Sequence, residues 1–472
     1  MKGDVTRMAV DALAVARPVA AERERGVLLV AAGAAFLALL DTTVANLAVA
    51  DVRSDFAGAS VGGATWIITI YAVTFAAFLA PAGRVADVVG RRTLMLAGVG
   101  GFTAMSLVCA VAPSLGVLLA ARGLQGVAAA AMIPASLAVV LADTPPERRA
   151  AAIGAWSAAG ALAAAAGPAL GGVLVDTLGW RSLFLINVPF GLAIIAGTTL
   201  VSRAPATRGP LPDAVGTALL GAGVGAVALG IAQGPDWGWG SRETVLSLAG
   251  GALAVAAALW RSTRRAAPAI ETRLWRIRSF ALANIASLLY GAALFPWLLV
   301  GVLFLIGVWG YSPLEAGLAM TPGAIVAAVV ALRAGPIVAR RGVRPVIVGG
   351  ALVLGSAGLV CAVALPEDPT FLTFWLPIGV LIGVGTGAIT TGVSTAAALS
   401  VGPQRFAAGV GLNQTGRQVG VALGVAVLAA LLDGRTGPGS GVGPFADVYL
   451  FCTLATFAVA AAAAWLFLEE RP

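Results

Sequence analysis

Asp41 stands inside an apolar stretch, Gly26 to Ala50, which is long enough to cross the roughly 30 Å hydrocarbon layer of a bilayer at about 1.5 Å per residue. A carboxylate at the centre of such a helix costs about 2.5–3.5 kcal/mol on insertion scales, so it is expected to face a bundle interior or a wet cavity. The alternative is that Asp41 caps a short first helix, its carboxylate accepting a backbone N–H. A second charge lies at matching depth: Arg122, in the stretch Leu119 to Gly126 that also carries Gln125. Counted along helices from Gly26 on one side and Leu115 on the other, Asp41 lies about 22 Å in and Arg122 about 10 Å from the opposite surface, the same level of the membrane. The two either pair or share a water-filled cavity, or Arg122 binds backbone carbonyls of the first helix and never meets the acid. Every other Asp and Glu falls in a loop, a tail or at a span end, which leaves Asp41 as the candidate for proton binding within the membrane.

Other chemistries lack their residues. There is no histidine, which removes His-based acid–base catalysis, His metal ligation and a His proton relay. No phosphate-binding glycine loop is present, and neither clustered acids nor a nucleophile motif points to an enzyme. Cys109, Cys361 and Cys452 sit in separate apolar runs without metal-ligand spacing and are expected to be reduced packing residues. The expectation is a chain with no metal and no cofactor, driven by an ion gradient.

The elements that must position Asp41 and Arg122 are read from composition. Of 472 residues, 59% are hydrophobic and 11% charged, against about 25% charged in soluble domains, and the mean hydropathy is +0.94. The apolar runs are continuous, not alternating, so the class is an all-α polytopic membrane protein and not a β-barrel. Fourteen spans fit, with both termini on one side, and of the 30 basic residues 23 lie in connections on that side against four opposite. That bias places both termini in the cytoplasm, in a bacterial inner or plasma membrane, and accounts for the net charge of +8 without nucleic acid. The expected division is a cytoplasmic tail (1–25), a six-helix bundle (26–201), a linker (202–213), two extra transmembrane helices (214–260), a basic cytoplasmic segment (261–279), a second six-helix bundle (280–468) and a short tail (469–472).

Between the second and third spans lies Gly83-Arg84-Val85-Ala86-Asp87-Val88-Val89-Gly90-Arg91-Arg92. Its glycines permit a tight turn, and Asp87 is suited to accept hydrogen bonds from arginines or a helix N-terminus. In the fifth span Gly167-Pro168-Ala169-Leu170-Gly171-Gly172 removes one helical hydrogen bond and side-chain bulk, so it reads as a kink or as a small-residue packing stripe. The first motif resembles the GxxxDxxGRR loop of the major facilitator superfamily, and Arg122 with Gln125-Gly126 its fourth-span pattern. The GPxxGG run resembles the fifth-span motif of superfamily exporters. Together with the first-span LDxTxxNxA and the segment Trp180 to Gly191, the pattern resembles the fourteen-span drug:proton antiporters. That resemblance implies two six-helix bundles plus two extra transmembrane helices, and proton-coupled secondary export of hydrophobic or cationic toxic compounds or antibiotics by alternating access. Export of an endogenous metabolite or siderophore is the alternative; a transporter-like sensor or scaffold without transport is another.

On this reading Asp41 and Arg122 couple to protons, while Gly83, Asp87, Gly90, Arg91, Arg92, Gly167, Pro168, Gly171 and Gly172 serve the conformational change. Asn46, Trp66, Tyr71, Gln125, Asn187, Tyr290, Trp297, Asn413, Gln414 and Arg417 are candidates for the substrate path. The polar cluster Asn413 to Gln418 either lines that path or satisfies itself across helices. The expected partners are a small-molecule substrate, protons and the lipid bilayer, with the chain working as a monomer. The second half repeats the first faintly: Gly335 to Arg344 echoes Gly83 to Arg92 with Ala339 in place of Asp87, and Pro403 to Gly411 echoes Pro146 to Gly154. The segment Gly310-Tyr311-Ser312-Pro313 resembles the family's outer turn, but Ile306 to Trp309 lacks the glutamine often found before it, so contacts there do not carry over.

Overall fold

The structure is a computed structural model that describes residues 2–45, 48–56, 61–201, 210–433, 435 and 441–466; the side chains of 2–21, 50, 61, 62, 168 and 466 are outside that description. The described residues form helices joined by short connections. The first half holds α1 (Lys2–Val44), α2 (Ala48–Asp55), α3 (Val61–Val89), α4 (Arg91–Ala110), α5 (Leu115–Asp143), α6 (Arg149–Leu178), α7 (Ser182–Leu185) and α8 (Asn187–Gly197). Next come α9 (Ala214–Trp237) and α10 (Arg242–Arg264). The second half holds α11 (Arg278–Gly307), α12 (Pro313–Arg341), α13 (Val343–Ala364), α14 (Leu376–Leu399), α15 (Phe406–Leu432) and α16 (Gly443–Leu466). Fourteen of these stretches are long and apolar enough to cross a membrane, α7 and α8 acting together as one. The order of spans fits the expected two six-helix bundles with one added helix pair.

Local chemistry fixes the helix ends. Ser114 caps α5 by accepting the Val117 N–H, Asp213 caps α9 at Gly216, and Ser312 with Glu315 forms a reciprocal capping box at α12. Gly90 (φ 112°) and Gly342 (φ 80°) break the chain between α3 and α4 and between α12 and α13, in a left-handed region that favours glycine. These two glycines occupy equivalent places in the internal repeat.

Two expectations are corrected. The apolar run containing Asp41 does not continue as one helix to Ala50: α1 ends at Val44 and α2 starts at Ala48, so Asp41 lies in the last turn of α1. The segment from Gly83 to Arg92 is not a loop; α3 runs through Gly83 and Asp87 to Val89, and Gly90 alone makes the turn. Gly83 therefore serves as a close-packing position within a helix.

The two bundles meet through small residues. A Cβ on Gly83 of α3 would strike the Ala407 carbonyl of α15, and one on Gly411 of α15 would stand 2.6 Å from the Leu79 carbonyl and 3.2 Å from the Gly83 Cα. On the other side a Cβ on Gly335 of α12 would strike the Ala150 carbonyl of α6, and one on Gly154 would stand 3.4 Å from the Gly335 Cα. The seams α3/α15 and α6/α12 thus use the two repeated motifs reciprocally, each motif of one half lying on the other motif of the second half. Such backbone proximity is how helices associate where lipid offers no hydrophobic drive. Helix α9 lies along the α3/α15 seam, packing Leu220 and Val224 against Ala76 and Ala80 of α3 and Leu412 and Val419 of α15.

Candidate functional site

Asp41 and Arg122 pair directly: Arg122 Nη1 lies 2.5 Å from Asp41 Oδ2, with the two side chains 0% and 1% exposed. The approach depends on close helix packing. A Cβ on Gly126 would stand 2.6 Å from the Tyr71 carbonyl, so Gly126 lets α5 press on α3, and a Cβ on Gly167 would strike Thr43 beside the Asp41 turn. Arg122 and Gln125, three residues apart, share one face of α5. Arg122 Nη1 also donates to Gln125 Oε1 at 2.7 Å and its Nε to the Ile67 carbonyl at 3.1 Å, while the Arg122 Cζ sits 4.3 Å from the Tyr71 ring centroid and 5.5 Å from that of Phe184. The carbonyl is thus one of the second span, not of the first helix.

The other carboxylate oxygen is saturated as well. Asp41 Oδ1 accepts from Asn187 Nδ2 at 2.9 Å and from Gln125 Nε2 at 3.2 Å. Both amides also donate to Ser106 Oγ of α4, at 3.2 Å and 2.7 Å. Asp41 is therefore surrounded entirely by donors, the pattern of an ionised carboxylate. Among the described residues Asn187 Oδ1 is buried without a hydrogen-bond partner. Ser106 is a member that sequence reasoning missed; its signal is a hydroxyl in the last turns of the third span.

The candidates for the substrate path sit in several different settings. Gln125 and Asn187, expected on the substrate path, are ligands of Asp41. Tyr71 lies under Arg122 and donates from its hydroxyl to the Ala38 carbonyl at 3.2 Å, so it holds the ion pair in place. Trp297 is buried in the second bundle's own core, edge-on to Tyr449 with ring centroids 5.4 Å apart. Asn413 donates to Ser287 Oγ at 2.8 Å and joins α15 to α11. Tyr290 shares a hydrogen bond with Thr390 at 2.7 Å, Gln414 accepts from Arg417, and Trp66 is half-buried. Asn46 is outside the described residues, as is the Pro168 side chain; Gly171 is buried and Gly172 half-buried in α6.

A second constellation closes one end of the α3/α15 seam. Asp87 accepts from the backbone N–H groups of Ala407 (3.3 Å) and Ala408 (2.9 Å), at the positive N-terminus of α15. Arg91 pairs with Asp87 at 2.9 Å and also donates to the Pro403 carbonyl across the seam. Arg92 donates to the Thr198 carbonyl at 3.0 Å, tying α4 to the end of the sixth span. Glu271, from the connection after α10, reaches Arg84 on α3 at 3.3 Å and Arg405 before α15 at 2.8 Å. Sequence reasoning missed Glu271, because it sits in a segment whose abundant arginines satisfy the positive-inside rule. The α10 end of that connection is anchored by Arg261 on Asp213, whose carboxyl is held below the ordinary value of 3.8 first by that side-chain hydrogen bond.

The sequence profile of the Major Facilitator Superfamily matches residues 31–313 and again 286–472. The chain is 34% identical over 399 residues to the multidrug resistance protein Stp of Mycobacterium tuberculosis, covering 84% of this chain and 74% of that one. It is 35% identical over 426 residues to the cephamycin export protein CmcT of Amycolatopsis lactamdurans (88% and 86% covered) and 35% identical over 417 residues to a probable actinorhodin transporter of Streptomyces coelicolor (86% and 72%). Among solved structures, the human organic anion transporter MFSD10 superposes with a TM-score of 0.65 at 17% identity over 93% of this chain and 99% of that one, a likeness of fold. The chain is a multi-pass membrane transporter, not an enzyme, and belongs to the major facilitator superfamily, with the fourteen-span build of its drug:proton antiporters.

Proposed function

We propose that this chain is a proton-coupled exporter of hydrophobic toxic compounds or antibiotics, working by alternating access in the plasma membrane with both termini in the cytoplasm. The observation that carries the proposal is the buried Asp41–Arg122 pair with its amide donors Gln125 and Asn187. The names of the similar proteins, which are multidrug resistance and antibiotic export proteins, support export over uptake. Residues 26–201 and 280–468 act as the two rocking bundles of a monomer, and 214–260 form the extra pair.

The carboxylate binds the proton. A protonated Asp41 has an O–H to donate where only donors now face it, so protonation must displace one of them. Rotation of the Asn187 amide turns its unpartnered Oδ1 toward the acid as the acceptor, and Arg122 gives up a charge partner at the same moment. Proton uptake thereby loosens the joint between α1, α5 and α8, and proton release restores it. The Asp87 cluster holds the cytoplasmic ends of α3 and α15 together until that change arrives.

Because Arg122, Gln125 and Asn187 saturate Asp41, the acid is not free to select a cationic substrate, which favours the hydrophobic over the cationic member of the expected class. Relatives named for single compounds, cephamycin and actinorhodin, favour a second reading, a narrow exporter dedicated to one metabolite. The test is accumulation of a panel of toxic compounds in cells with and without the chain, combined with proton flux in proteoliposomes. Asp41→Asn should abolish gradient-driven efflux, and full efflux by that variant sinks the proton assignment.

A further inference from the structure

The second bundle holds a charge that the proton site does not use. Arg417 lies in α15, about 16 Å along the helix from Phe406, near mid-membrane. Arg122 is sealed and neutralised, whereas Arg417 is half-buried. Among the described residues its hydrogen bond goes to the neutral Gln414 Oε1, and no carboxylate pairs with it. A guanidinium without a counter-charge at this depth is costly and marks a functional position by default.

Its direction follows from the helix. At about 3.6 residues per turn, Asn413, Gly420 and Gly424 mark the face of α15 that lies on α11, and Gly411 marks the face on α3. Arg417, Gln414 and Gln418 project from the sector between those faces, where the two bundles come together. Tyr290 of α11 precedes Gly291, on which a Cβ would strike the Arg417 carbonyl, and the Tyr290 hydroxyl reaches Thr390 Oγ1 at 2.7 Å on α14. One turn before Thr390, Thr386 Oγ1 is buried without a hydrogen-bond partner. The cluster thus offers a fork of N–H donors, two side-chain amides and hydroxyls, and no acid.

We propose that Arg417, with Gln414, Gln418 and the Tyr290–Thr386–Thr390 hydroxyls around it, binds the anionic group of the exported compound, a carboxylate or phenolate on a hydrophobic body. The guanidinium matches a carboxylate in a two-bond fork, and the anion supplies the charge that the chain itself omits. A cationic compound meets repulsion at the same point. The proposal rests on the exporter reading and narrows its substrate class.

The probes are 9-anthracenecarboxylate and its methyl ester, which share the aromatic body and differ by the charge and one methyl group. They are titrated against the full chain in lipid nanodiscs by quenching of tryptophan fluorescence, and their efflux is followed in cells with and without the chain. The wild type should bind the carboxylate at least tenfold more tightly than the ester. Arg417→Gln should erase that preference while leaving ester affinity within twofold, which also shows that the variant is folded. Arg417→Lys should keep part of it. No preference in the wild type, or a preference that survives in Arg417→Gln, overturns the proposal. If Arg417→Gln binds neither probe, Arg417→Lys decides: a carboxylate preference supports the assignment and its loss refutes it. Binding as expected with no efflux of either compound leaves the anion site standing and defeats the exporter reading.

Discussion

Removing one charge of the buried pair should be far worse than removing both. Asp41 and Arg122 approach to 2.5 Å with almost no exposure, and at a charge separation of about 4 Å and an effective dielectric of about 20 their attraction is about 4 kcal/mol. Asp41→Asn leaves the Arg122 charge with the neutral Ile67 carbonyl, the Gln125 carbonyl and two aromatic faces. Arg122→Gln leaves the carboxylate with two amide donors. Each single variant should lose about 3–5 kcal/mol of stability, because a charge stays buried without its counterpart. The double variant, in which amides face amides, should lose less than about 2 kcal/mol, a coupling of about 4 kcal/mol or more in the cycle. Equilibrium unfolding of the four proteins in mixed micelles measures this directly. Additive losses, or single variants within about 1 kcal/mol of the wild type, refute the ion pair as described. Transport separates stability from mechanism: the double variant should fold well and still fail to drive efflux from a proton gradient, and recovered gradient-driven efflux removes Asp41 as the proton site.

Gly83→Val places a branched side chain against the Ala407 carbonyl and should push α3 from α15 at a cost of about 1–3 kcal/mol, read as a longer distance between spin labels on the ends of those helices beside Asp87 and Phe406. An unchanged distance with unchanged turnover defeats the packing role. Glu271→Gln removes two ion pairs that cross the seam and should favour cytoplasmic opening by about 1 kcal/mol, an effect that high salt should imitate in the wild type; equal labelling of cytoplasmic-seam cysteines in both proteins counts against it. Near the start of α3, at the end opposite Asp87, Asp55 accepts from Trp180 Nε1 at 2.8 Å and pairs with Arg181, and the Trp180 hydrogen bond, then Arg181, holds its carboxyl below 3.8. A depressed carboxyl contributes stability above its unfolded value and loses it as pH falls through the folded one. The Trp180 environment, followed by fluorescence in a protein retaining that tryptophan, should therefore stay constant from neutral pH to pH 5 and change only below about 3.8; a transition near pH 5 excludes this tie.

Hydropathy and loop charge made the fourteen helices legible, because a lipid solvent leaves few ways to satisfy a backbone. The depth match of Asp41 and Arg122 was legible for the same reason, since rise along a helix converts residue number into height. Azimuth was not. Hydropathy cannot tell that Asn187 turns toward Asp41 or that Trp297 turns away into its own bundle, although the three-residue spacing of Arg122 and Gln125 already placed those two on one face. The end of α1 at Val44 was hidden because the residues beyond it remain apolar and the break needs no proline. Glu271 was hidden by its neighbours: in a basic segment a single acid looks like noise until a fold brings Arg84 and Arg405 to it.

The two seams between the bundles began as copies, but they are not mechanically equivalent. Where α3/α15 carries Asp87 on the α15 amides, Arg91 and the Glu271 bridge, the repeated position in α12 is Ala339, and α6/α12 closes on backbone and methyl groups. One edge therefore resembles a zip fastener with a catch and the other a plain fold in cloth. The ion pairs named above lie on the first edge, so high salt should loosen α3/α15 before α6/α12. The added helix α9 packs on both helices of the first edge, so any parting there must also move α9.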